Sequence, residues 1–437
     1  METSLPSTLD FSKRLPELPN QATGTLMSVQ STNGISFGPN QVVQWDLPAR
    51  SGLFIDPKSF FIRYKLSATA TGGTAVIKRK PVYTVFSRLD EFVGSVPVNS
   101  VYQYNQVANM WVDTNCSIAD VYGQQFSYGL SQTAALTDLD GVSISAGTTE
   151  LYVAAPLVCS VFAGADKMLP TGLMSSMRVQ LTIDSLANIA GGAAATVAFL
   201  TGLTISQPEL CFQTLDLGAG VEQAIAATAP KIYLKSNGWA NATQSLAAST
   251  SGFNTLVFNH RYESIENLYF LSSSNAAAKS FNTWGDSFNS LAIAGANGSI
   301  QFQIGQSVYP QLPINNGNGG VASVLQYLRE TTGQITDQRN TMCLISAAFS
   351  QYAGDATAST TDIPAKFIVG VPLSRVNSPS PYQQVSLMSG VSAASTPINV
   401  LLNVGTAFNS AMNFALIAQY TCLLEIDTMM RQVNVIC

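Results

Sequence analysis

Apolar residues recur at every second position along most of this chain. In the run SFFIRYKL, Phe60, Ile62, Tyr64 and Leu66 fall on one face while Phe61, Arg63 and Lys65 fall on the other, the period-two pattern of a half-buried strand. The same rhythm returns at Leu256, Phe258, His260 and Tyr262, at Ile300, Phe302 and Ile304, and at Cys422, Leu424 and Ile426. Asn-Gly pairs beginning at Asn33, Asn237, Asn297, Asn316 and Asn318 supply residues that tolerate positive φ and read as tight turns between strands. Helical spacing is confined to two places: Val107, Met110 and Trp111 within residues 104–120, and Val321, Val324, Leu325 and Leu328 ahead of Gly333. The pattern predicts an all-β protein with short helical inserts.

Each helical segment sits about midway through its half of the chain, which points to two related units. The strand-like run LTISQPELCFQTLDL ends at Leu217, GAGVEQAIAATAP follows as a linker or short helix, and KIYLKSNGW restarts the strand pattern. Residues 31–217 and 231–437 are therefore expected to form two tandem antiparallel barrels, each long enough for eight strands, with 218–230 as the linker. Residues 1–30 lack strand rhythm, carry Pro6, Pro16 and Pro19, and read as an extended arm with apolar anchors at Leu5, Leu9, Phe11, Leu15 and Leu18.

Composition adds an expectation of assembly. With 46% hydrophobic and 9% aromatic residues the chain has enough apolar surface to fold. Charged residues make up only 11%, against about 25% in an ordinary soluble domain. Free monomers usually stay soluble through surface charge, so a surface this weakly charged is expected to be covered by neighbours. No apolar run approaches the roughly 18 residues of a membrane span, and METSLPSTLD opens without a signal pattern, so synthesis in a cytosol-like compartment without secretion is expected. The sequons at Asn115, Asn241 and Asn297 are then expected to stay unmodified.

The net charge of −5 is spread evenly: residues 1–217 hold 12 basic and 16 acidic side chains, leaving 9 and 10 of the chain's 21 and 26. Neither half is basic, so no direct nucleic-acid binding is expected. The one basic cluster, Lys78-Arg79-Lys80, follows Gly72-Gly73 and reads as a solvated loop tip.

Candidate chemistry is sparse. The single histidine, His260, lies between Phe258 and Tyr262 and reads as a hydrogen-bonded core or interface residue. Phosphate-loop, dinucleotide, zinc-protease and serine-hydrolase signatures are all missing. Asp90-Glu91, and Asp138 with Asp140, read as surface carboxylates, the second pair with a weaker cation-binding alternative. Cys116, Cys159, Cys211, Cys343, Cys422 and Cys437 contain no Cys-x-x-Cys pair, and Cys159, Cys211, Cys343 and Cys422 sit in apolar segments as expected buried free thiols. No catalytic, cofactor or metal residue is assigned, and the chain is read as a structural protein, not an enzyme.

Several segments together resemble the double jelly-roll major capsid proteins of the tectivirus and adenovirus lineage, in the branch with virophages and polinton-like viruses. They are ISFGPNQVVQWDLP followed by GLFIDPKSFFIRYKL with its Asp56-Pro57 turn, then FQIGQSVYPQLPI with Tyr309-Pro310 and Pro313 ahead of the helix from Val321. AKFIVGVPLSRV, LMSGVSAASTPINVLLNV and YTCLLEIDTMMRQVNV complete a resemblance that covers nearly the whole chain; residues 131–147 have no counterpart. It implies two upright eight-stranded jelly-roll barrels per chain and a homotrimer that forms a pseudo-hexagonal capsomer of an icosahedral virion. It also implies contacts with neighbouring capsomers and with penton, minor capsid or membrane proteins. Three alternatives compete. A single jelly-roll coat protein with a protruding domain, as in small RNA viruses, usually carries a basic arm, whereas residues 1–30 hold Lys13 and Arg14 against Glu2, Asp10 and Glu17. A carbohydrate- or receptor-binding β-sandwich is the second, and a sandwich glycosidase, which would need an acid/base pair, the third.

Overall fold

The computed structural model describes residues 22–130, 141–191, 199–274, 298–315, 320–332, 368–374, 390–405, 407 and 411–437. In the first half the strands are β1 (Thr23–Gln30), β2 (Ser36–Phe37), β3 (Val42–Asp46), β4 (Leu53–Ile55), β5 (Phe61–Ala70), β6 (Ala75–Lys78) and β7 (Phe86–Val93). They continue with β8 (Val96–Tyr102), β9 (Gly141–Ile144), β10 (Gly147–Pro156), β11 (Leu169–Pro170), β12 (Met177–Ile183), β13 (Ala190–Gly191) and β14 (Leu200–Asp216). The second half holds β15 (Lys231–Leu246), β16 (Gly252–Phe258), β17 (Ile265–Ser274), β18 (Ser299–Ile304), β19 (Ser307–Asn315), β20 (Val369–Pro372), β21 (Ile398–Val404), β22 (Met412–Asp427) and β23 (Gln432–Ile436). Helices are short: α1 (Pro81–Thr84), α2 (Tyr104–Asn115), α3 (Ile118–Gly123), α4 (Gln125–Tyr128), α5 (Leu186–Ile189), α6 (Ala219–Thr228) and α7 (Gly320–Thr331).

The strands sort into sheets by halves. One sheet runs β10-β5-β14-β4-β11 with β1 and β2 also on β14, a second runs β3-β12-β7-β8, and a small third runs β13-β6-β9. After α6, one sheet runs β15-β22-β17-β20 with β23 also on β22, and another runs β16-β21-β18-β19. These strand pairs are antiparallel, and none of them joins a strand before α6 to one after it.

Alternation decides which faces meet. In β12, Met177, Val179, Leu181 and Ile183 are buried in strict alternation, as are Ile62, Tyr64, Leu66, Ala68 and Ala70 in β5. The two apolar faces close on each other: Tyr64 of β5 meets Phe86 of β7 edge to face at 5.6 Å, and the indole of buried Trp45 in β3 donates to Pro208 O of β14. The second half repeats the arrangement, with Phe270 of β17 edge-on to Phe302 of β18 at 6.0 Å and stacked on Phe414 of β22 at 5.4 Å. Each such buried ring contributes about 1.5–3 kcal/mol relative to exposure. The halves also share a helix placement, since α2 follows β8 and α7 follows β19, each the terminal strand of its four-stranded sheet.

Local chemistry sets the ends of these elements. Helical spacing continued to residue 120, but α2 stops at Asn115 and α3 begins afresh, because the Ser117 hydroxyl accepts from Asp120 N while the Asp120 carboxylate accepts from Ser117 N. Two sequence expectations need correction. The span read as an arm contains β1, whose residues Thr23–Gln30 pair with Asp216–Glu209 of β14; residues 1–21 lie outside the described ones. Asn237-Gly238 is not a turn but lies inside β15, paired with Thr421 and Tyr420. The glycine is there for space: a Cβ on it would sit 2.3 Å from the Tyr420 ring, itself stacked at 3.7 Å on Tyr262. Asn33-Gly34 does lie in the bend between β1 and β2, where Asn33 donates to Val42 O and accepts from Gln44 N. Asn297, Asn316, Asn318 and Gly333 fall outside the described residues.

Candidate functional site

Two clusters of buried polar groups stand out among the described residues, and neither has the layout of a reaction centre. The first is the seam between the halves. Glu91 of β7 is fully buried, and the loop after β10 folds over it. Its carboxylate accepts from Ser160 Oγ, from Asn99 Nδ2 at 2.9 Å, from Val161 N at 2.8 Å and from Phe162 N at 3.4 Å. Burial pushes the Glu91 carboxyl up, against these hydrogen bonds, which pull it down. The loop so held reaches the second half: Ser236 Oγ of β15 donates to Val161 O at 2.6 Å, and Asp166 and Lys235 exchange two bonds of 2.9 Å. Gly164 permits the approach, since a Cβ there would meet Ser236 Oγ at 2.8 Å. Asn241 of β15 donates to Tyr102 O and Gln103 Oε1, and Ser175 Oγ donates to Arg431 O between β22 and β23. Helix α6 is pinned as well, its Glu222 accepting from Ser51 Oγ at 2.5 Å and Gly52 N at 2.6 Å.

The second place lies against α2. Lys80 and Asp113 are fully buried and ion-paired, and Arg79 Nη1 lies 3.6 Å from Asp113 Oδ2. Asn109 accepts from Lys80 N and donates to Thr84 Oγ1, while Asn105 donates to Asp184. The expected solvated tip at Lys78-Arg79-Lys80 is thus corrected for Arg79 and Lys80, which enter the interior because α2 carries a carboxylate and amides to receive them. Nothing in the local sequence signals this, since Asp113 is 33 residues away from Lys80. Asp90 and Glu91 are also corrected from surface to buried: Asp90 pairs with Arg88 at 2.8 Å and accepts from Ser100 Oγ. Asp138 and Asp140 lie outside the described residues.

His260 is buried, as expected, though just beyond β16 rather than within a strand. Its Nε2 is 2.8 Å from Leu416 O, and burial pushes the imidazole below its ordinary value. Asn115 and Asn241 are engaged in intramolecular hydrogen bonds, Asn241 at the seam. Cys159, Cys211 and Cys422 are buried free thiols, Cys116 and Cys437 are half-buried, and Cys343 is outside the described residues. Among the described residues, no three His, Cys, Asp or Glu side chains converge to hold a metal ion, and no helix is long and apolar enough to cross a membrane.

The outer face is unusual in another way. Phe126 of α4 and Tyr152 of β10 are 62% and 60% exposed and flank a groove of about 400 Å³. The groove is bordered by the ion pairs Arg63–Glu209 at 2.5 Å and Lys65–Glu150 at 2.7 Å, with the Lys65 ammonium 5.7 Å from the Tyr152 ring centre. Its charges are already paired within the chain, so what it offers a partner is aromatic surface. Leu26, Ile35, Phe253, Leu312, Met429 and Met430 are also largely exposed.

No family model matches this sequence, and no curated protein is similar to it by sequence. Its fold, by contrast, has close counterparts. The Faustovirus major capsid protein superposes with a TM-score of 0.64 at 10% identity, covering 97% of this chain and 93% of that one. A chain of the Sputnik virophage gives 0.58 at 13% identity, covering 100% and 92%, and the mavirus major capsid protein gives 0.53 at 10% identity, covering 99% and 93%. The sheets on either side of α6, three before it and two after, therefore form a double jelly roll, the fold this chain shares with those viral proteins.

Proposed function

We propose that this chain is the major capsid protein of an icosahedral virus, a structural subunit that trimerises into a pseudo-hexagonal capsomer. The observation that carries the reading is a double jelly roll matched over nearly the full length of both partners by the Faustovirus and mavirus major capsid proteins. Paired sheets recur on both sides of α6, which fits one jelly roll from β1 to β14 and a second from β15 to β23 and disfavours a single roll with a protruding domain. Three copies of two rolls give six similar units around one axis, which fill a hexagonal outline. A chain with only 11% charged residues and with exposed Phe126, Tyr152 and Phe253 suits broad, uncharged contacts between copies. The role is structural: buried carboxylates and the histidine are consumed in holding loops and strands, and the reading places the protein in the virion without catalytic duty. The segment before β1 would reach from this block to a neighbouring capsomer or an inner layer.

Size exclusion with light scattering, followed by electron microscopy of the peak, tests the proposal. The expected species has three times the 46.4 kDa chain mass and a hexagonal outline, little changed by moderate salt. A monomer at micromolar concentration would contradict it.

A further inference from the structure

Two thiols that none of the contacts above uses face each other across the last hairpin. Strands β22 and β23 pair from Asp427↔Gln432 to Leu423↔Ile436, and one step further the register sets Cys422 opposite Cys437. Their sulfurs are 3.3 Å apart. Opposed residues of an antiparallel pair have Cα atoms about 4.5–5.5 Å apart, within the roughly 4.4–6.8 Å that a disulfide accepts. The sulfurs need close only to a bond length of about 2.05 Å, with no change of register.

We propose that Cys422 and Cys437 are a disulfide-forming pair, which closes by exchange with a small-molecule disulfide of the glutathione type and staples the open end of the β22–β23 hairpin. The half-buried Cys437 acts first. Its thiolate attacks one sulfur of the small disulfide, that bond breaks, and one small thiol leaves with the proton Cys437 gave up. Cys422 then loses its proton and attacks Cys437 Sγ, the mixed disulfide breaks, and the second small thiol leaves with that proton. Two protein thiols are oxidised and one small disulfide is reduced to two thiols. The order of attack follows from the pair itself. The hydrogen bond with Cys422 draws the Cys437 thiol below its ordinary value, whereas that contact and burial push Cys422 well up. The turn between the strands is already fixed, because Asp427 accepts from Met429 N and Met430 N, so the new bond would close a hairpin held at its other end.

In a capsid the bond would form only after particles leave a reducing cytosol, although the chemistry itself does not depend on the capsid reading. The test uses the purified full-length protein and oxidised glutathione, and needs no capsid. The expected product is a chain two hydrogen atoms lighter. After trypsin cuts at Arg431, Gln432–Cys437 should stay joined to the segment carrying Cys422 until a reductant frees it. Cys437→Ser should abolish the mass loss, and Cys422→Ser should instead accumulate a stable glutathione adduct on Cys437. Two outcomes overturn the proposal: both thiols still alkylated after unfolding of the glutathione-treated wild type, or a wild type that keeps glutathione on Cys437 as fully as the Cys422→Ser variant does.

Discussion

Replacing Glu91 by alanine should loosen the seam between the halves, and the structure sets the scale. Val161 N and Asn99 Nδ2 both donate to Oε2, at 2.8 and 2.9 Å, inside a region closed to water. Each buried donor left without its acceptor costs about 1–3 kcal/mol, so Glu91→Ala should lose about 2–6 kcal/mol. Glu91→Gln separates this cause from loss of volume. Its amide oxygen can take the Oε2 position and keep both donors, while its NH2 must donate to Ser160 Oγ instead of accepting from it and gives up the 3.4 Å contact from Phe162 N, at a cost of about 1–2 kcal/mol. Urea unfolding followed by tryptophan fluorescence measures both, and amide exchange at Val161 reports the loop directly. The pH dependence has a definite sign. A carboxyl raised on folding contributes stability that is fully present below its unfolded value and lost as pH rises through its folded value. Glutamine does not titrate, so the deficit of Glu91→Gln should be larger in mild acid than at pH 8. Equal stability of the alanine and glutamine variants, or an alanine variant within about 0.5 kcal/mol of wild type, would refute the role of the carboxylate.

Two further predictions concern packing and buried charge. Gly238→Ala should cost about 1–3 kcal/mol by overpacking against the Tyr420 ring, yet become neutral or mildly stabilising in a Tyr420→Ala background; a double-mutant cycle by denaturation checks this sign change. Asp113→Ala should cost about 3–5 kcal/mol by leaving buried Lys80 without its carboxylate, and Asp113→Leu combined with Lys80→Met should recover only part of the loss in a thermal unfolding midpoint, because buried Arg79 loses the same carboxylate.

Much of the architecture was legible as alternation, because strands with one face on a core must alternate. The runs at Ile62–Leu66, Ile300–Ile304 and Cys422–Ile426 are buried at the positions their period implied. β1 was missed for the complementary reason: Thr23, Gly24, Thr25 and Leu26 are all exposed, so pairing with β14 leaves no apolar rhythm to read. Asn237-Gly238 misled because the same dipeptide serves a turn or a close approach, and only the Tyr420 ring, 182 positions later, decides between them. Charged residues were misplaced by type. Arg79, Lys80, Asp90 and Glu91 read as surface, yet Arg79, Lys80 and Glu91 are buried by partners that fold back from elsewhere, Asp113 for the first two and Ser160 and Val161 for Glu91, while Asp90 is held locally by Arg88 and Ser100. The seam was unreadable, since hydrogen bonds accepted by backbone atoms such as Val161 O leave no mark on composition.

The pairing of β1 with β14 has a consequence for biosynthesis. The first sheet cannot be completed until Asp216 has left the ribosome, because the earliest described strand waits for the last one of its half. From then on every partner it needs has been made. Residues 217–437 alone take about 10–45 s at usual elongation rates, and the first half can fold within that interval. Through it, Val161 O, Asp166 and the Tyr102 carbonyl stand without the β15 groups that later bond to them. The nascent chain thus carries a prepared docking edge, so the second half is made beside a finished template rather than a disordered one.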